Sequence, residues 1–206
     1  MKVKFSSLAA LTVCLLFLAC GAFADSIPVT NFSFETHPPF NNSDGTGQWT
    51  DGLPIPGWTI TGSGGVWMPS NLNLPAYDGN VLAWSNGGSF FQSVGATTAG
   101  AMYTLTVEIM HRTDAPMLGT AQLTFNGVPV AMATGNDGGS GTWNKFTATY
   151  TASGVGTLGI LLSANGVQGD WDDVHLSVPE HSNLAMLLGF GIFNLAAVFG
   201  FRRKLT

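Results

Sequence analysis

Charge is what this chain has least of. Charged residues make up 9% of its 206 positions, against about 25% in a typical soluble protein. Of the seven Lys and Arg, only Arg112 and Lys145 fall between residues 25 and 178, whereas every Asp and Glu except Glu180 falls there. The central stretch is acidic, and the basic face that a nucleic-acid binder needs is missing, so that class is excluded. Cysteine is scarce too. Cys14 and Cys20 are the only two and both lie in the first apolar run, so the central stretch has no disulfide and no Cys-based metal site. It must rely on its core, helped at most by a bound ion. Outside the two ends no helical period is sustained, and the Glu, Lys and Arg that cover helix surfaces are few. Catalytic signatures are also missing: there is no Gly-x-Ser-x-Gly elbow and no His-Glu-x-x-His, and His37, His111 and His175 stand isolated. The reading is therefore non-enzymatic, with a secreted hydrolase built on a carboxylate pair as the minor alternative.

What is present is glycine, 27 residues of it, roughly twice the usual share of about 7%, with Thr, Ser and Asn at the polar positions. That suits many short strands joined by turns. In 102–110, Tyr103, Leu105, Val107 and Ile109 point one way and Thr104, Thr106 and Glu108 the other, the period of a strand with one buried face. Ala121, Leu123 and Phe125 alternate in the same way and lead into Asn126-Gly127, the preferred dipeptide of a two-residue hairpin. Val128, Val130 and Met132 form the return strand, which Pro129 places at an edge. Phe146 to Tyr150, Leu158 to Leu162 and Asp172 to Val178 add three more. Val29 to Phe34, Trp58 to Thr61, Val66 to Met68, Val81 to Trp84 and Phe90 to Val94 are shorter candidates. The fold class is all-β, a jelly-roll sandwich over 25–178.

The ends differ from the middle. Lys2 and Lys4, the apolar run Leu8 to Ala19 and the small-x-small site Ala22-Phe23-Ala24 make residues 1–24 a secretory signal peptide, with the mature chain starting at Asp25. The alternatives are a retained anchor, for which the run is short, and a lipoprotein acylated at Cys20. At the other end, Pro179-Glu180-His181 precedes Leu184 to Phe201, uncharged and just long enough to span a bilayer as a helix. Arg202, Arg203 and Lys204 follow and hold the tail in the cytoplasm, which places the central domain in the periplasm. Asn194 within the span is tolerated through a helix–helix contact.

This arrangement over 179–206 resembles the PEP-CTERM sorting domain of exopolysaccharide-producing Gram-negative bacteria. His181 stands where the usual motif has proline. The resemblance implies processing near the motif by an exosortase, a transient inner-membrane anchor, and delivery to the cell surface or extracellular matrix. A plain tail anchor is the alternative.

A second resemblance covers the middle. Asn31-Phe32-Ser33-Phe34-Glu35, Pro56-Gly57-Trp58, Asp78-Gly79-Asn80, Phe91-Gln92, Tyr103 to Val107, Trp143, Thr149 to Ala152 and Asp172-Asp173-Val174-His175-Leu176 occur in an order similar to the galactose-binding-like jelly roll of family 4/9-type carbohydrate-binding modules. It implies a structural calcium, Ca2+, on Glu35 and Asp172 with Asp173 and Asp78 as helpers; the plain reading is that these acids cap turns. It also places Trp58 and Trp143 in the core. Of the six Trp, Trp49 and Trp67 sit in Gly- and Asn-rich stretches and are the candidates for sugar-stacking platforms, with loop anchors as the alternative; Trp84 and Trp171 are unassigned. Two functional readings follow: an exported structural or interaction protein linked to exopolysaccharide, and a dedicated carbohydrate-binding module.

Overall fold

The computed structural model describes residues 24–70, 74–110, 119–136, 138–139, 141–166 and 168–179. Its strands are β1 (Ala24–Ile27), β2 (Asn42–Asp44), β3 (Gly47–Trp49), β4 (Thr59–Pro69), β5 (Leu82–Ala96), β6 (Met102–Met110), β7 (Gly119–Phe125), β8 (Val128–Met132), β9 (Trp143–Thr151), β10 (Thr157–Ala164) and β11 (Gln168–Pro179). The described part is an all-β sandwich. One layer runs β2-β3-β4-β5-β10-β7-β8, and the other consists of β1, β11, β6 and β9. β11 joins them: residues 168–171 pair with β5, and residues 170–177 pair with β6.

The alternation read along the sequence becomes the core. Leu105, Val107 and Ile109 of β6 meet Leu123 of β7, Leu158, Ile160 and Leu162 of β10, and Trp171, Val174 and Leu176 of β11. Trp171 is fully buried and its indole N–H donates to the Thr120 carbonyl at 3.1 Å, so the one polar atom of the ring keeps a partner inside the sandwich. The hairpin between β7 and β8 uses Asn126 and Gly127 at φ 51° and 78°, the left-handed pair that a tight two-residue turn demands. β8 ends its layer, as Pro129 requires.

Three local expectations need correction. Residues 29–34 are a turn rather than a strand. Asn31 and Phe34 both adopt positive φ, 53° and 61°, and the Asn31 amide donates to Thr36 O and Pro56 O. The turn swings Phe34 inward onto Trp58, ring centroids 5.3 Å apart. The separate short segments 58–61 and 66–68 fall on one long strand, β4, and 81–84 and 90–94 on another, β5, with Trp58 and Val81 just ahead of them. Glu108, placed by period on the solvent face, is buried at 3% exposure, because the outer face of this sheet is itself covered.

The expected signal peptide, Glu180, His181, the spanning segment 184–201 and Arg202, Arg203 and Lys204 lie outside the described residues. Among the described residues no helix is long and apolar enough to cross a membrane.

Candidate functional site

Cross-strand register builds a second, smaller apolar layer on the outer face. Residues directly opposite in antiparallel strands project to the same side. Trp49 faces Trp67, and Trp67 faces Leu82. Trp84 faces Asp170, Asp170 faces Met110, and Met110 faces Trp143. Val66 and Ala83, one residue out of phase, go to the main core. Trp67, Leu74, Leu82, Trp84 and Met110 therefore cluster outside the sandwich, with Trp49, Ala76 and Trp143 packed against them.

The end of this layer is a groove of about 200 Å3. Trp49, Trp67 and Trp84 line it, and Asp44, Thr46, Asn86 and Gln168 supply its polar side. The three indoles are not equally accessible. Trp67 and Trp84 are buried at 4% and 7% exposure and form the wall, whereas Trp49 is half-buried and is the ring a ligand can lie on. Trp84 is pinned by its N–H, which donates to the Thr50 carbonyl at 3.2 Å. Thr50 is fully buried and is itself clamped to β4: its N–H donates to Val66 O at 2.8 Å and its hydroxyl accepts from Val66 N–H at 2.9 Å. Asp44 Oδ1 accepts from the N–H and the hydroxyl of Thr46, at 2.7 and 2.6 Å, which fixes the carboxylate at the tip of the β2–β3 hairpin. The Gln168 amide donates to Asp170 Oδ1 at 2.8 Å.

Both sequence candidates, Trp49 and Trp67, border this one groove. Trp84, left unassigned by the sequence, belongs with them, and so do Asp44, Thr46, Asn86 and Gln168, which carry no local signal. Trp58 is in the main core as expected. Trp143 is only partly buried and packs on the outer layer, edge-on to Tyr77 at 6.1 Å, with its N–H donating to Pro75 O at 2.9 Å.

Two of the acidic candidates, Glu35 and Asp172, meet on one loop. Glu35 Oε1 accepts the N–H groups of Asn80 and Val81, each at 2.8 Å. Asp172 Oδ2 accepts those of Tyr77 and Asp78 at 2.8 and 2.9 Å, and its Oδ1 accepts that of Asp173 at 2.8 Å. The two carboxylates thus clamp residues 77–81 from either side. Asp173, at φ 49°, turns to His175 instead, Oδ1 to Nε2 2.6 Å. Among the described residues no three His, Cys, Asp or Glu side chains gather as a metal-holding set. Because Glu35 Oε1 and Asp172 Oδ2 already accept two amide protons apiece, a cation here would have to draw on the other carboxylate oxygens and on backbone carbonyls. Burial pushes the Asp172 carboxyl up to about 7 against the opposing amide donors, with the nearby Asp78 charge adding to the rise. Burial raises Glu108 as well, opposed by Lys145 at 3.7 Å.

The family model described as HpiC1-like, HpiC1 cyclase, matches residues 25–177. Among solved structures, the CBM22-1 xylan-binding domain of Paenibacillus barcinonensis Xyn10C is similar at 15% identity and a TM-score of 0.51, covering 79% of this chain and all of that one. TmCBM61 in complex with beta-1,4-galactotriose aligns at 17% identity and a TM-score of 0.42, over 74% of this chain and 97% of that one. The CBM22-1-GH10 modules of Clostridium thermocellum xylanase 10B align at 16% identity and 0.42, over 61% of this chain. The chain spans only 27% of that longer two-module protein. No curated protein matches in sequence.

Proposed function

The chain belongs to the HpiC1-like family, and from the geometry of its groove we propose that its domain is a carbohydrate-binding module that holds a polysaccharide chain against Trp49, Trp67 and Trp84. The observation that carries the reading is the groove itself. An accessible indole over a buried aromatic wall offers a flat apolar face for a sugar ring, and the amides and carboxylate beside it meet the hydroxyls. The jelly-roll fold shared with a xylan-binding domain supports it. The family description names a cyclase, which is the second reading for the same groove. At about 200 Å3 the groove is smaller than the roughly 300–1,000 Å3 of enclosed small-molecule sites, which favours one face of a chain over an engulfed substrate.

Trp49→Ala is expected to abolish retention of the protein in affinity gels containing soluble β-linked glycans, while the domain stays folded with a melting temperature lowered by a few degrees, as for a half-buried ring packed on the outer apolar layer. Unchanged retention would reject the groove as the site. A bound compound released chemically altered would favour the cyclase reading.

The two ends complete the proposal. The chain is exported, held in the inner membrane by 184–201 facing the periplasm, and processed by an exosortase at Pro179-Glu180-His181 before reaching the cell surface or matrix, where it contacts exopolysaccharide. Intact mass of the protein from medium and membranes is expected to give a chain starting at Asp25 and ending near 179–181. A chain keeping 184–206 and found only in membranes would leave a plain tail anchor.

A further inference from the structure

We infer, on the footing that 184–201 spans the membrane, that the end of the sandwich where β11 leaves it is a lipid-contacting tip, which rests on the bilayer and holds the groove away from it. Three loops meet at this end. Thr97 N–H donates to Gly156 O, Gly100 N–H to Ala152 O and Asn126 N–H to Thr157 O, each at 2.8 Å, so the β5–β6, β7–β8 and β9–β10 connections are tied into one surface. That surface exposes apolar side chains. Val155 is 80% exposed and Val128 63%, the two highest values of any large apolar residue among the described ones. Met102, which opens β6 at the same end, is also exposed. Residues 95–102, 125–132 and 150–158 contain no Asp, Glu, Lys or Arg, so these loops reach lipid headgroups with no charge of their own to desolvate. An exposed apolar patch of this kind marks an interaction surface.

The occupant follows from the chain. Ser177 of β11 pairs with Thr104, so β11 leaves the sandwich beside the start of β6, at the end that carries the loops. From Val178 to Leu184 is six residues, at most about 20 Å of chain. Once 184–201 lies in the bilayer, the tip is held close to the lipid surface. Three apolar side chains grip a free domain only weakly, but a short tether makes the contact intramolecular, at an effective concentration of about millimolar. The contact therefore lasts while the tail is attached and ends when the tail is removed. Gln168, at the other end of β11, lines the groove. Ten residues of strand separate it from Val178, which sets the groove roughly 30 Å from the tip, on the side open to polysaccharide.

The test uses the exported protein, taken from membranes with 184–206 intact and placed in lipid nanodiscs. Without residues 1–24 it has no cysteine, so Val155→Cys and Gly45→Cys each take one fluorophore, the first at the tip and the second at the β2–β3 turn by the groove. Nitroxide on the lipid headgroups is expected to quench the label at 155 severalfold more than the label at 45. Val128→Asp, added to the first variant, is expected to remove most of that difference with the melting temperature little changed, as for an exposed position. Equal quenching at both positions, in a chain that purifies with the discs, would overturn the tip and leave the anchor standing. A difference that Val128→Asp leaves untouched would assign it to the tether alone and overturn the apolar contact. Disulfide-linked pairs of the unlabelled Val155→Cys chain, in place of quenching, would give the surface to a second copy. A chain that does not enter the discs at all fails the anchor reading, and the tip falls with it.

Discussion

Gly65→Ala is expected to lower the stability of the domain by about 3 kcal/mol, the upper end of overpacking costs, and to weaken glycan binding at the same time. A Cβ at position 65 would land on the Thr50 carbonyl oxygen and hydroxyl, well inside van der Waals contact. Neither can give way cheaply. Thr50 is tied to Val66 by both its backbone and its side chain, and its carbonyl holds the Trp84 indole. Pushing the Thr50 segment outward breaks those bonds and frees the wall of the groove, so folding and binding fail from one cause. For a domain of this size the loss corresponds to a fall of about 10 °C in Tm. Gly45→Ala is the control, since a Cβ there meets nothing within 4 Å. If both variants melt with the wild type, the Thr50 segment is not the rigid support described.

The second large effect is on pH dependence. The Asp172 carboxyl rises from 3.8 to about 7, and Glu108 is raised too. A carboxyl with a folded pKa above its unfolded value binds its proton more tightly in the folded chain. The folded form therefore holds more protons between the two values, and stability falls as pH rises through that window, here from about 4 to about 7. With calcium chelated, the domain is expected to be more stable at pH 5 than at pH 8, by up to roughly 2.5 kcal/mol from Asp172. Asp172→Asn is expected to flatten most of the slope. The variant sits lower throughout, because one of its terminal atoms becomes a donor facing an amide N–H. The same curves test the proposed calcium ion. A cation on Asp172 favours the charged form, so calcium should raise the melting temperature at pH 8 and remove the fall. Curves that coincide in calcium and in chelator would reject the ion and leave the pH effect intact.

The sequence conceals the first position altogether, and at the second it marks a candidate calcium ligand without the burial that sets its chemistry. Gly65 reads as one of 27 glycines; only the approach of Thr50 makes it irreplaceable. Asp172 reads as a calcium-ligand candidate or a turn cap; its burial, and the three amides aimed at it, are what only the structure adds.

The sequence by itself determined the β class, the edge position of β8, the hairpin at Asn126-Gly127 and the inward faces of β6, β7, β10 and β11. Each is a local matter: a period of two, a left-handed dipeptide, a proline without its N–H. It also singled out Trp49 and Trp67. Tertiary structure decided what surrounds them. That Trp84 joins the two indoles, that Asp44 and Gln168 flank them across more than a hundred residues of chain, and that Trp67 is wall and not platform all follow from strand register, which local periodicity does not set. The second apolar layer follows from the same cause. Trp67, Leu82, Trp84 and Met110 occupy the phase that a one-sided strand gives to solvent, and only the pairing of β3, β4, β5, β11 and β6 brings them together to exclude water from the sheet's outer face.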